Sequence, residues 1–72
     1  MLSIDEYKKA LSLNPDYPEA HYNLGLIFKA LGRKEDGKKE FEEALRIVPN
    51  FKEAKDNLEE LQQEDMDTAK PN

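Results

Sequence analysis

Pro15-Asp16-Tyr17-Pro18-Glu19-Ala20-His21-Tyr22-Asn23-Leu24 returns 34 residues later as Pro49-Asn50-Phe51-Lys52-Glu53-Ala54-Lys55-Asp56-Asn57-Leu58. Proline, glutamate, alanine, asparagine and leucine recur unchanged, and Tyr17 meets Phe51 like for like. The correspondence extends outward from this stretch. Glu6 lies on Glu40, Tyr7 on Phe41, Ala10 on Ala44, Leu11 on Leu45, Leu13 on Ile47, and Ile27 on Leu61. Matches at small, aromatic and aliphatic positions mean that one packing solution is used twice. A 34-residue period of this kind marks a helix–turn–helix repeat.

The apolar residues between these landmarks follow helical spacing. Ile4, Tyr7, Ala10 and Leu11 form one stripe, and Ala20, Leu24, Ile27, Phe28 and Leu31 a second. Gly37, Phe41, Ala44, Leu45 and Val48 form a third, and Ala54, Leu58 and Leu61 a fourth. Asn14-Pro15 and Pro49 end the segments they follow, because proline cannot continue the hydrogen-bond ladder and restricts the residue before it. Gly32 stands where a left-handed closing residue is wanted. The pattern predicts four helices, roughly 2–14, 17–31, 34–48 and 51–64. Turns of two or three residues force neighbouring helices to run nearly antiparallel. Asp16-Tyr17-Pro18-Glu19 and Asn50-Phe51-Lys52-Glu53 both read as capping boxes at helix starts.

Composition narrows the function classes. Seventy-two residues hold one small domain, and a chain this short buries only about 60% of the surface it exposes when unfolded. With 38% charged residues and a mean hydropathy of -0.93, few apolar side chains are available, so their spacing decides the fold. The absence of cysteine removes disulfides, thiolate ligands and a thiol nucleophile together. A formal net charge of -5 argues against nucleic-acid binding, which needs a concentrated basic surface. Met1-Leu2-Ser3-Ile4-Asp5-Glu6 carries acids where a signal peptide would be basic, and no run approaches the roughly 18 apolar residues of a membrane span. A cytoplasmic protein that binds neither nucleic acid nor membrane is expected.

The full pattern resembles the tetratricopeptide-repeat (TPR) family. His21-x2-Leu24-Gly25-x2-Phe28, then Gly37-x3-Phe41-x2-Ala44, then Pro49, stand where that family has Trp-x2-Leu-Gly-x2-Tyr, Ala-x3-Phe-x2-Ala and Pro. Ala20, Gly25, Gly37 and Ala44 let helices approach closely, and Phe28 and Phe41 fill the space between them. The resemblance implies an all-α fold of antiparallel helix–turn–helix repeats, stacked as a short right-handed α-solenoid of four helices. Residues 1–64 would be the repeat domain: 1–17 the second helix of a preceding unit, 18–51 a full repeat, and 52–64 a capping helix. Residues 65–72 lack periodicity and are expected to be a disordered tail. His21 departs from the family's tryptophan, Glu59 from its small glycine, and Lys34 and Lys38 occupy places that are commonly apolar. Because the repeat pattern begins in mid-unit, Ile4, Tyr7 and Leu11 would lack a covering helix. A piece of a longer array, or a homodimer through those three residues, would each account for this.

The resemblance also implies a function, which is to hold a protein or peptide segment in a concave groove lined by the first helices of successive units. Carried over by position, the groove residues are Glu19, Tyr22, Asn23, Leu26 and Lys29, with Glu53, Asp56, Asn57 and Glu60 from the next unit. Asn23 and Asn57 suit a peptide backbone, since an amide both donates and accepts. A subclass of the family clamps C-terminal carboxylates with groove cations. Asn23 matches its asparagine, but Glu53 and Asn57 stand at the cationic pair and Tyr22 at a further lysine. A basic or amphipathic partner is therefore expected. A self-associating unit, or an inert cap of a longer array, are the alternatives. Catalysis is not expected: His21 is the sole imidazole, and Ser3 and Ser12 have no assigned base. The adjacent acids Glu42-Glu43 and Glu59-Glu60 diverge on a helix, and Asp65-x-Asp67 lacks the rest of a calcium loop. No metal or cofactor is expected. The basic cluster Arg33-Lys34 with Lys38-Lys39 is interleaved with Glu35, Asp36 and Glu40, which cancel it.

Overall fold

A computed structural model describes residues 4–69, with side chains described through residue 63. The described residues form four helices in chain order: α1 (Ile4–Leu13), α2 (Pro18–Ala30), α3 (Lys34–Ile47) and α4 (Lys52–Ala69). Each helix packs on the one that follows it, α1 on α2, α2 on α3 and α3 on α4. The expected helix start at residue 2, and Ser3, lie outside the described residues.

The tightest approach is between α2 and α3, at Gly25. A Cβ built there would lie 2.7, 2.9 and 3.0 Å from three ring carbons of Phe41, inside any real contact distance. Gly37 on α3 faces back across the same seam, its missing Cβ position 3.2 Å from the Gly25 carbonyl oxygen and 3.5 Å from Leu61 Cδ1 of α4. Phe41, Ala44 and Ala54 are fully buried in the cluster that Leu61 completes, and Tyr22, Leu26, Leu45, Phe51 and Leu58 pack around it. Ala20, Leu24 and Phe28 are the buried apolar side chains of α2. α1 contributes no fully buried residue.

The turns show what ends each helix. At the end of α2, the Gly32 amide donates to the Lys29 carbonyl at 3.1 Å and the Arg33 amide to the Phe28 carbonyl at 2.8 Å. This is a Schellman closure, and it requires the left-handed φ of +79° that Gly32 adopts. The Arg33 guanidinium then lies 4.7 Å above the centre of the Phe28 ring. Val48, before Pro49, is extended (φ -126°, ψ 90°) and stops α3.

Two expectations are corrected. The helix starts are not capping boxes. The N-cap of α2 is Tyr17, extended and without a side-chain cap bond, with Pro18 as the first helical residue. Pro18 holds the residue before it in the extended region, so Asp16 sits one position too early to cap. The His21 amide bonds the Tyr17 carbonyl at 3.2 Å and the Lys55 amide bonds the Phe51 carbonyl at 3.0 Å, giving α4 the same aromatic start. The helix expected to stop at 64 also continues to Ala69, so five residues assigned to a disordered tail are helical. Gln62 to Ala69 contain neither glycine nor proline, and Pro71 is the next breaker. Residues 70–72 of the expected tail lie outside the described residues.

His21 ties three elements together. Its Nδ1 lies 2.8 Å from Glu40 Oε1 on α3, and its Nε2 lies 3.0 Å from the Pro15 carbonyl oxygen in the α1–α2 turn. Both neighbours are acceptors. A neutral ring has one N–H and serves one of them at a time, whereas the imidazolium serves both.

The two glycines of α2 and its closure respond differently to substitution. Gly25→Ala gains about 1 kcal/mol of helix propensity but overpacks a sealed seam, which costs about 1–3 kcal/mol. Urea unfolding is expected to show net destabilisation, partly relieved by Phe41→Leu in the same chain. Gly32→Ala meets open space and loses about 1 kcal/mol through its φ alone. Gly32→Asn should therefore restore stability, while Gly25→Asn should not. His21→Ala should cost about 1 kcal/mol by removing the ring's hydrogen bonding to Glu40 and the Pro15 carbonyl, read in the same assay.

Candidate functional site

The residues expected to line a groove sit on α2 and α4, and the structure divides them into three groups. Lys29, Glu53, Asn57 and Glu60 form one network. Lys29 Nζ on α2 donates to Asn57 Oδ1 at 3.0 Å and to Glu60 Oε1 at 2.6 Å on α4. Asn57 Nδ2 donates in turn to the Glu53 backbone carbonyl at 2.8 Å. The Asn57 amide is thus engaged at both ends within the molecule.

Tyr22 and Leu26 form the second group. The Tyr22 ring lies between two others, its centroid 5.8 Å from that of Phe41 and 5.1 Å from that of Phe51. Leu26 packs against the same buried cluster. Sequence spacing had set these two residues apart from the packing stripes, but the structure uses them to join α2 to α3 and α4. A signal was available: 34 residues after Tyr22 and Leu26 stand Asp56 and Glu60, so the repeat breaks at the positions where α2 has a packing partner.

Asn23, Glu19 and Asp56 remain. Asn23 is half-buried and lines an open cavity of about 120 Å³ with Tyr7, Ala10, Tyr17 and Ala20, between α1 and α2. The two asparagines therefore have different surroundings. Glu19 and Glu53 are exposed, and neither carboxylate is in an ion pair among the described residues. Asp56 accepts from Lys52 Nζ at 3.1 Å. That hydrogen bond, with the charge of Asp56, raises the Lys52 ammonium from the ordinary lysine value. A raised lysine pKa contributes below the unfolded value and is lost as pH rises through the folded one, so the pair persists throughout the neutral range.

The basic cluster is neutralised only in part by its neighbouring acids. Arg33 Nε donates to Asp36 Oδ2 at 2.8 Å, Lys38 Nζ lies 3.5 Å from Glu35 Oε1, and Glu40 is taken by His21. No helix among the described residues is long and apolar enough to cross a membrane.

Comparison with known proteins agrees with this geometry. A family model described as TPR repeat matches residues 2–32, and one described as Tetratricopeptide repeat matches residues 18–51. Among curated relatives, the human protein O-mannosyl-transferase TMTC1 is 36% identical over 59 residues, which is 82% of this chain and 7% of that protein. The mouse protein of the same name is 34% identical over 59 residues, 82% of this chain and 6% of its own length. The chain thus spans a small fraction of the relatives it matches. Two overlapping matches, together reaching from residue 2 to residue 51, coincide with the helix pairs α1–α2 and α2–α3, and the chain belongs to the tetratricopeptide-repeat family.

Proposed function

We propose that this chain holds a basic or amphipathic peptide segment along the face shared by α2 and α4, and does not transform it. TPR repeats are protein–protein interaction modules, which supplies the general role. The observation that carries the specific reading is the charge on that face. Glu19, Glu53, Asp56 and Glu60 are all exposed, and Lys29 and Lys52 are the two cations set against them. Lys29, the cation that reaches across from α2, is already bound by Glu60 and Asn57. A carboxylate arriving from a partner would meet a neutralised lysine flanked by acids, whereas a lysine or arginine would meet unpaired Glu19 and Glu53. Such long-range complementarity acts on association rate and on the choice of partner more than on final affinity.

The non-catalytic reading rests on the engagement of the one imidazole. His21 is held by Glu40 and the Pro15 carbonyl, so it is not placed to take a proton from a substrate.

Titration of a lysine-rich peptide and an acid-tailed peptide, each followed by fluorescence anisotropy, tests the charge argument. The basic peptide should bind at least severalfold tighter, and the preference should shrink as salt is raised from 50 to about 500 mM, where the Debye length falls below ~5 Å. Tighter binding of the acid-tailed peptide would overturn the reading. Lys29→Met should strengthen binding of the basic peptide by releasing Glu60 and the Asn57 oxygen. Its cost in stability should stay within about 1 kcal/mol, as for other partly exposed pairs.

A further inference from the structure

Asp36-Gly37 is the one place in this sequence where glycine directly follows an aspartate. Such a pair carries its own chemistry. A glycine amide nitrogen is unshielded by a Cβ and its backbone is free to turn, so in an open chain it attacks the carboxyl carbon of the aspartate before it. The N–H proton and the carboxyl hydroxyl leave together as water, and the new N–Cγ bond closes a five-membered succinimide. Water then opens the ring at either carbonyl. Opening at Cγ returns aspartate. Opening at the aspartate's backbone carbonyl gives isoaspartate, in which the main chain runs through Cβ and Cγ and is one atom longer.

In the folded chain Arg33 holds both reacting groups. Its backbone carbonyl accepts the Gly37 N–H at 3.0 Å. Its side chain donates from Nε to Asp36 Oδ2 at 2.8 Å, and its Nη2 lies 2.7 Å from the same oxygen. The attacking nitrogen is thus tied into the first turn of α3, and the carboxylate is drawn back toward the helix start, away from that nitrogen. Arg33 is itself fixed by the closure of α2. Its amide donates to the Phe28 carbonyl at 2.8 Å, and its guanidinium lies 4.7 Å above the Phe28 ring. Gly37 is buried as well.

We propose that Asp36-Gly37 is a latent isoaspartate site, silent while the α2–α3 turn is closed and reactive when the turn opens. Local opening of this kind needs no global unfolding. The product cannot be reseated. Its extra main-chain atom lies directly before Gly37, where even an added Cβ would sit 3.2 Å from the Gly25 carbonyl oxygen and 3.5 Å from Leu61 Cδ1. A close-packed seam has no slack to take it up. The lengthened chain also carries the Gly37 N–H off the Arg33 carbonyl. A passing fluctuation of the turn is thereby converted into lasting loss of the α2–α3 contact, on which the seating of α4 through Leu61 also depends.

The test follows isoaspartate at residue 36 by mass spectrometry that resolves isomeric peptides, during incubation at physiological temperature and pH. A capped peptide of residues 33–40 gives the unconstrained rate, and the folded chain should react at least tenfold more slowly. Arg33→Gln should raise the rate in the folded chain severalfold. Phe41→Leu, which loosens the seam without touching the turn, controls for lost stability. With both variants brought by urea to the same folded fraction, Arg33→Gln should still react faster. The isolated isoaspartyl chain should show less helical circular dichroism than the parent and a lower urea midpoint. Equal rates in the folded chain and the peptide, equal rates for the two variants at matched folded fraction, or a parent-like spectrum and midpoint for the isoaspartyl chain would each overturn the inference.

Discussion

The contact between the Phe41 ring and the bare backbone of Gly25 is the constraint on which the rest of the structure depends. Placing a ring directly on a helix backbone is possible only without a Cβ, and it brings α2 and α3 close enough for Gly37 to reach the Gly25 carbonyl. Leu61 of α4 arrives at the same point, so three helices are located by one cluster of small and large residues. In a chain of this size little other apolar surface is available to compensate for a misfit there.

Polar groups work at longer range from that centre. His21 links the α1–α2 turn to α3, and Lys29 links α2 to α4. Each spans an interface whose apolar side is already packed, so neither has to create the contact it crosses. No buried side-chain polar atom among the described residues lacks a partner. The same economy leaves the α2–α4 face with an excess of carboxylates. The lysine that reaches across it serves the fold.

Much of the architecture was legible in the sequence because it is local or periodic. Prolines, the single glycine that closes α2, and the recurrence of Ala, Phe and Leu at fixed spacing give the helices and their order. The surroundings of the candidate site residues were less legible because the decisive contacts join residues far apart in the chain. His21 to Glu40 spans 19 residues, Lys29 to Asn57 spans 28 and Lys29 to Glu60 spans 31. No helical periodicity reports such pairs, and Asn23 and Asn57 look equivalent until Lys29 of α2 reaches Asn57 on α4. The helix starts misled for a different reason. An acid and a glutamate at capping spacing compete with Pro18, whose steric demand on Tyr17 is stronger than one side-chain hydrogen bond. At the far end, absence of pattern was read as absence of helix, although the residues from Gln62 to Ala69 have ordinary helix propensity.

The neighbour-on-neighbour packing of α1 to α4 has a kinetic corollary. Every main interface closes a loop of only three or four residues between helices, so little chain entropy is spent before apolar contacts repay it. Topologies of this type nucleate readily and pass quickly to the native state. The α2–α3 hairpin, sealed around Phe41, is the natural nucleus. The outer helices would add to it in sequence, and would also be the first to detach when the molecule opens.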